Sequence, residues 1–146
     1  MKRGLDSNVL IYAHLPGMEA HDAVRSYLLR QLQDLEVQLI ITPAILHEFV
    51  HIVTDARRFD PPVAMSEALA LARLYLGRAN ILCLATDEQA ASLAFDLMER
   101  NNLGRKRLAD TLFAATLLAS GVRELITCNP GDYSVFPELR LFDPRH

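Results

Sequence analysis

Four acids and one pair of histidines carry most of the chemistry this sequence could perform. Asp6 stands in Gly4-Leu5-Asp6-Ser7-Asn8-Val9-Leu10-Ile11, an acid, a hydroxyl and an amide inside an otherwise apolar run. A carboxylate buried there is costly unless a cation, a metal or a set of donors faces it. Asp110 stands in Leu108-Ala109-Asp110-Thr111-Leu112-Phe113-Ala114-Ala115-Thr116. An acid in a first helical turn favours the positive end of the helix dipole. This helix is apolar nearly all round, however, so it reads as buried and an exposed cap is less natural. Glu48 and Asp132 complete the acids, and His47-Glu48-Phe49-Val50-His51 adds an H-E-x-x-H pattern.

The elements that must position these residues alternate between strand-like and helix-like. Residues 3–13 read as a first strand, closed at Pro16-Gly17. The apolar positions of residues 18–32 recur at helical spacing. Val37–Ile41 reads as a short buried strand, and Thr42-Pro43 as an N-cap and first helical residue opening a helix to about Asp55. A helix over about 64–76 ends at Gly77, and Ile81–Leu84 is the next strand. Thr86-Asp87-Glu88-Gln89, with a cap-like Thr, opens a helix that ends near Asn101. Residues 108–120 form a last helix, closed by Gly121, and Glu124–Cys128 and Leu139–Phe142 are the final strands.

This alternation predicts an α/β fold, a three-layer α/β/α sandwich with a mainly parallel sheet of four to five strands. Without an internal repeat or a linker, residues 1–146 read as a single domain. Ligands of such sheets bind beyond the carboxyl ends of the strands, near a switch in strand order. Asp6 at the first strand, Glu48 in the helix after the second, Asp110 in a first helical turn and Asp132 beyond the penultimate strand can all meet at that edge.

Leu5-Asp6-Ser7-Asn8-Val9-Leu10, Thr42-Pro43-Ala44-Ile45-Leu46-His47-Glu48-Phe49, Leu108-Ala109-Asp110-Thr111-Leu112-Phe113-Ala114-Ala115 and Leu125-Ile126-Thr127-Cys128-Asn129-Pro130-Gly131-Asp132-Tyr133 together resemble the PIN-domain family. Each motif is short; the ordered set spans the chain. Within the family the chain is similar to the single-domain VapC-type ribonuclease toxins of toxin–antitoxin pairs. The resemblance implies a metal-dependent endoribonuclease with Asp6, Glu48, Asp110 and Asp132 as catalytic acids. Asp6 and Asp110 would hold Mg²⁺, with Mn²⁺ as an alternative, and water would attack the phosphodiester to leave a 3′ hydroxyl and a 5′ phosphate. Ser7, Asn8, Thr111 and Asn129 would support the carboxylates. Ser7 replaces the family's usual Thr, and Asn129 stands where many members carry an acid. The resemblance also implies an RNA substrate, a VapB-like antitoxin and a homodimer.

Arg105, Lys106 and Arg107 lie just ahead of Asp110. Singly they read as a solvated loop, and as a cluster they could hold RNA phosphates that an acidic site repels. A formal net charge of −3 argues against holding nucleic acid by the general field of the protein, but not against a local basic patch.

Three other readings compete. H-E-x-x-H can place two histidines on one helical face to share a zinc, with Glu48 as general base. Extended spacing would need Gly at Thr54 and His at Arg57, and a downstream carboxylate would have to be Glu67 in a plain amphipathic helix. A phosphoaspartyl hydrolase using Asp6 lacks the acid two residues on, where Asn8 stands. A PIN-like domain that binds RNA without cutting it is the third.

Cys83 and Cys128 read as buried free thiols. The apolar runs are too short to cross a bilayer and Asp6 and Asn8 interrupt any signal segment, so the expected location is cytoplasmic, away from membranes.

Overall fold

Short apolar runs form the strands, and the first three are each followed by a capping side chain, Asp6, Thr42 and Asp87, that starts a helix. A computed structural model describes residues 1–146. In chain order the elements are β1 (Lys2–Leu5), α1 (Ser7–His14), α2 (His21–Gln33), β2 (Gln38–Ile41), α3 (Pro43–Val53), α4 (Met65–Gly77), β3 (Ile81–Cys83), α5 (Glu88–Arg100), α6 (Leu108–Ala119), β4 (Glu124–Ile126) and β5 (Arg140–Phe142). Single 3₁₀ turns precede α6 at Arg105–Arg107 and follow β4 at Pro130–Asp132.

The five strands form one sheet in the order β3-β2-β1-β4-β5, parallel throughout. Beginning at β1, the chain first moves outwards to β2 and β3, then returns past β1 to β4 and β5. Parallel crossovers keep a right hand, so this reversal places α5 and α6 on the face opposite α1 to α4. The packing agrees: α1 contacts α2 and α3, α3 contacts α4, and α5 lies against α6. The expected α/β sandwich is therefore observed, with five strands and no antiparallel pair. A cluster of 33 buried apolar residues runs through both helical layers, from Val9, Leu10 and Phe49 to Leu117 and Leu125. No helix is long and apolar enough to cross a membrane.

One expected element is wrong. The strand over residues 3–13 ends at Leu5, and Ser7–His14 is helical. Asp6 adopts φ −75° and ψ 153° and accepts a hydrogen bond from the Ser7 amide, the behaviour of an N-cap. The run Val9-Leu10-Ile11 suggested a strand because a helix buried on most sides also loses its polar face. The cap of α5 is likewise Asp87, which accepts from the Ala90 amide, and not Thr86. The remaining elements lie within a few residues of their expected bounds.

Gly4 connects fold to site. It sits in β1 opposite Ile40 of β2 and Leu125 of β4. A Cβ there would stand 2.5 Å from Leu117 Cδ1, so the absent side chain lets α6, which carries Asp110, close onto β1, which leads into Asp6.

Candidate active site

The strand order reverses at β1 and β4, and the segments leaving these neighbouring strands build the floor of the site. Asp6 follows β1 directly, and its backbone amide donates to the Ile126 carbonyl of β4 at 3.1 Å. Its carboxylate is 5% exposed and held from three sides. Oδ1 accepts from the Ser7 amide at 2.8 Å; Oδ2 accepts from the Thr127 hydroxyl at 2.9 Å and from Asn8 Nδ2 at 3.2 Å. Asn8 also accepts from the Cys128 amide at 3.0 Å, and the Asn129 amide donates to Thr127 Oγ1 at 3.0 Å. These bonds tie the loops after β1 and β4 into one unit. Burial outweighs the Thr127 hydrogen bond, and with the negative charge of Asp110 nearby the Asp6 carboxyl is pushed up to about 7.

The other acids come from different elements. Glu48 on α3 accepts from the Ser7 hydroxyl at 2.7 Å, so Ser7 touches both Asp6 and Glu48. Asp110, in the first turn of α6, accepts from the Tyr133 hydroxyl at 3.2 Å. Burial, then the charges of Asp132 and Glu48, raise its carboxyl above the usual range. Tyr133 is 1% exposed, and burial between acids holds its phenol well above the ordinary value, so the hydroxyl stays protonated and can donate. Asp132 lies in the turn after β4 and pairs with Arg107 Nη1 at 3.3 Å; the same guanidinium donates to the Asp132 carbonyl at 2.9 Å.

All four acids line one cleft of about 440 Å³, together with Ser7, Asn8 and Asn129. The remaining supporting and basic residues separate. Thr111 turns inward, and its buried hydroxyl has no hydrogen-bond partner. Lys106 lines the cleft, Arg107 is engaged with Asp132, and Arg105 is not among the lining residues. Thr127, which fixes Asp6, was not singled out from sequence; a Thr just past a strand carries no strong signal by itself. Tyr12, Met18, Arg58 and Phe59 also line the cleft and were missed. Arg58 and Phe59 lie in an irregular turn after α3, where charged residues read as solvent-facing.

An arrangement of oxygen donors with mutually repelling charges is one that a hard divalent cation relieves. Asp6 and Asp110, whose carboxyls are both raised by burial and by other acids, could hold such an ion. No three His, Cys, Asp or Glu side chains form a closed coordination cluster. Mg²⁺ needs none, because it is held through one or two carboxylates and keeps several waters. His47 and His51 are directed elsewhere. Both are exposed and line an apolar groove of about 680 Å³ beside Met65, Leu69 and Leu76 of α4, whereas Glu48 lines the acidic cleft. Glu48 therefore does not face the two histidines, as the general base of a zinc protease would have to. Cys128 is fully buried, and burial pushes its thiol up to about 12, so it remains an inert thiol at neutral pH.

Residues 5–135 match the model of the PIN domain family, and the chain belongs to that family. Solved structures share its fold. VapBC2 from Rickettsia felis, bound to a promoter DNA fragment, aligns with a TM-score of 0.68 at 18% identity, over 98% of each chain. FitAcB from Neisseria gonorrhoeae aligns with a TM-score of 0.67 at 21% identity, over 99% of each chain. VapC20 from Mycobacterium tuberculosis, a sarcin–ricin loop cleaving toxin, gives 0.66 at 13% identity, covering 84% of this chain and 86% of that one. No curated protein matches the sequence.

Proposed function

We propose that this chain is a divalent-metal-dependent endoribonuclease, a single PIN domain acting as the toxin of a toxin–antitoxin pair in the cytoplasm. The observation that carries the reading is the meeting of Asp6, Glu48, Asp110 and Asp132, drawn from four separate segments, around one cleft at the carboxyl edge of the sheet. Asp6 and Asp110 are the residues to hold Mg²⁺, or Mn²⁺ in its place. Such an ion, when bound, supplies an acidified water and stabilises charge developing on the phosphate in an in-line displacement.

The protein's own groups do the positioning. Ser7 donates its amide to Asp6 and its hydroxyl to Glu48, fixing the spacing of these two carboxylates. Thr127 and Asn8 hold the second oxygen of Asp6 and leave little rotational freedom. Glu48, with one oxygen held by Ser7, is placed to accept a proton from water within the cleft. Arg107 orients Asp132, and Lys106 offers a charge to a phosphate that the acids alone would repel. Asn129 presents a neutral hydrogen-bonding group at the rim.

Partners are proposed on two grounds. A toxin–antitoxin complex from Klebsiella pneumoniae shares this fold, and so does VapC20, a sarcin–ricin loop cleaving toxin. The chain also exposes Met65, Leu69 and Leu76 along one face of α4, an apolar surface that an antitoxin or a second copy would cover.

Purified protein should cut RNA in Mg²⁺ or Mn²⁺, produce 5′-phosphate ends, and stop in EDTA. Cleavage that persists undiminished in EDTA, or that leaves cyclic phosphate ends, would overturn the metal-dependent reading. Binding of RNA without cleavage in any metal would favour the RNA-binding alternative.

A further inference from the structure

The cleft has a second half that acid and metal chemistry does not require. Ile11 and Tyr12 at the end of α1, Met18 after it, Ile52 on α3 and Phe59 in the following turn line the same space as the four acids. Phe59 is only partly buried, and its neighbour Arg58 has a side chain 62% exposed, with a loose 3.7 Å approach to Asp55. Backbone bonds from the Arg58 and Phe59 amides to the Asp55 carbonyl, at 3.0 and 3.1 Å, hold the turn that presents both residues. Asp55 itself is engaged by Arg57.

A phosphate and its cation would leave the partly exposed Tyr12, Met18, Ile52 and Phe59 facing water. The remaining part of a nucleotide supplies what they lack: every base has a π-face, and stacking on an aromatic side chain tolerates any sequence. A base can reach such a face only when it is unpaired, because a duplex keeps it stacked on its neighbours. Arg58 adjoins Phe59 as a phosphate-binding residue adjoins a base platform, and its charge is not consumed by a close ion pair.

Resting on the nuclease reading above, we infer that Phe59 is a stacking platform for an unpaired RNA base next to the cut and that Arg58 holds the adjoining phosphate. Phe59 thereby selects among RNA structures, and the acids perform the cleavage.

The test uses the Asp6→Asn protein, so that RNA stays intact, with a short fluorescein-labelled RNA of randomised sequence read by anisotropy. Phe59→Leu, which keeps apolar bulk and removes the π-face, should weaken binding at least about fivefold, whereas Phe59→Trp retains it. Arg58→Gln should reduce the slope of log Kd against log salt by about 0.7, the loss of one phosphate contact to a single strand. A duplex should bind more weakly than the single strand and be indifferent to Phe59→Leu. Unchanged affinity in Phe59→Leu, or equal binding of duplex and single strand, would overturn the inference. If the wild-type protein cuts RNA in Mg²⁺ while Phe59→Leu binds like its parent, the platform falls and the nuclease reading stands. If binding depends on Phe59 but the wild-type protein never cuts, the nuclease reading falls and the platform stands. Failure of the Asp6→Asn protein to bind RNA would overturn the platform, and a wild type that also never cuts would overturn both.

Discussion

Asp6→Asn is expected to lower the rate of RNA cleavage by roughly a thousandfold or more, the scale seen when a group stabilising transition-state charge is removed. The substitution keeps the shape of the side chain and its capping hydrogen bond. Asn is as good an N-cap as Asp, and its carbonyl can still accept from the Ser7 amide. The residue is 5% exposed and its shape is retained, so packing against β4 is not disturbed. What is lost is the negative charge, together with the oxygen that accepts from Thr127 and Asn8. Single-turnover cleavage in saturating Mg²⁺, with the melting temperature measured alongside, separates this from unfolding. A variant that folds and cleaves at the wild-type rate would contradict the role given to Asp6.

The second large effect is on stability. Asp6 has an unfolded value near 3.8 and a folded value of about 7, so the folded state holds its proton more tightly than the unfolded chain. Stability from this group is fully present below pH 3.8 and is lost as pH rises through about 7, by on the order of 4 kcal/mol if the whole shift is expressed. Asp110 is raised for the same reasons and acts in the same direction. In EDTA, the wild-type protein should therefore lose stability relative to Asp6→Asn between pH 4 and 7, and the difference should level off above that. Mg²⁺ should restore the wild type at pH 8 and do little at pH 5, because the ion binds the deprotonated acids and stabilises only the folded state. Denaturant melts of both proteins across this range, with and without Mg²⁺, check it. Parallel pH curves for the two proteins would show that Asp6 is not the titrating group.

Much of this site was legible because acids in apolar settings are conspicuous. Asp6 and Asp110 stand out against Leu, Val, Ala and Phe, and the alternation of strands and helices already directs them to one edge of a parallel sheet. Thr42-Pro43 marked the start of α3 correctly, which placed Glu48 within the helix. The misreading of residues 7–13 has a physical cause. Hydrophobic periodicity distinguishes strand from helix only when one face is exposed, and α1 buries Ser7, Val9, Leu10, Ile11 and Ala13. The polar triplet Asp6-Ser7-Asn8 was the better signal, an N-cap cluster ahead of an apolar run. Seen as a helix, α1 turns successive residues to different partners, so that Ser7 reaches Glu48 while Asn8 reaches Thr127 and Cys128.

Long-range pairings were not legible. Arg105, Lys106 and Arg107 look equivalent in sequence, but the turn before α6 directs Lys106 into the cleft and Arg107 onto Asp132. The contribution of Phe59 and Arg58 depends on how an irregular turn folds back, which no local pattern encodes. The same holds for Tyr133, a residue of an apparently ordinary Asp-aromatic pair whose hydroxyl lies 3.2 Å from Asp110.

The central claim is that Asp6 and the acids around it hold a divalent cation. Calorimetric titration of Mn²⁺ into the RNA-free protein at pH 8 tests it most directly. The wild-type protein should bind the ion, and repeating the titration near pH 6.5 in buffers of different ionisation enthalpy should reveal protons released on binding. Asp6→Asn should bind at least about tenfold more weakly and release fewer protons. Equal affinity and equal proton release in the two proteins would contradict the account.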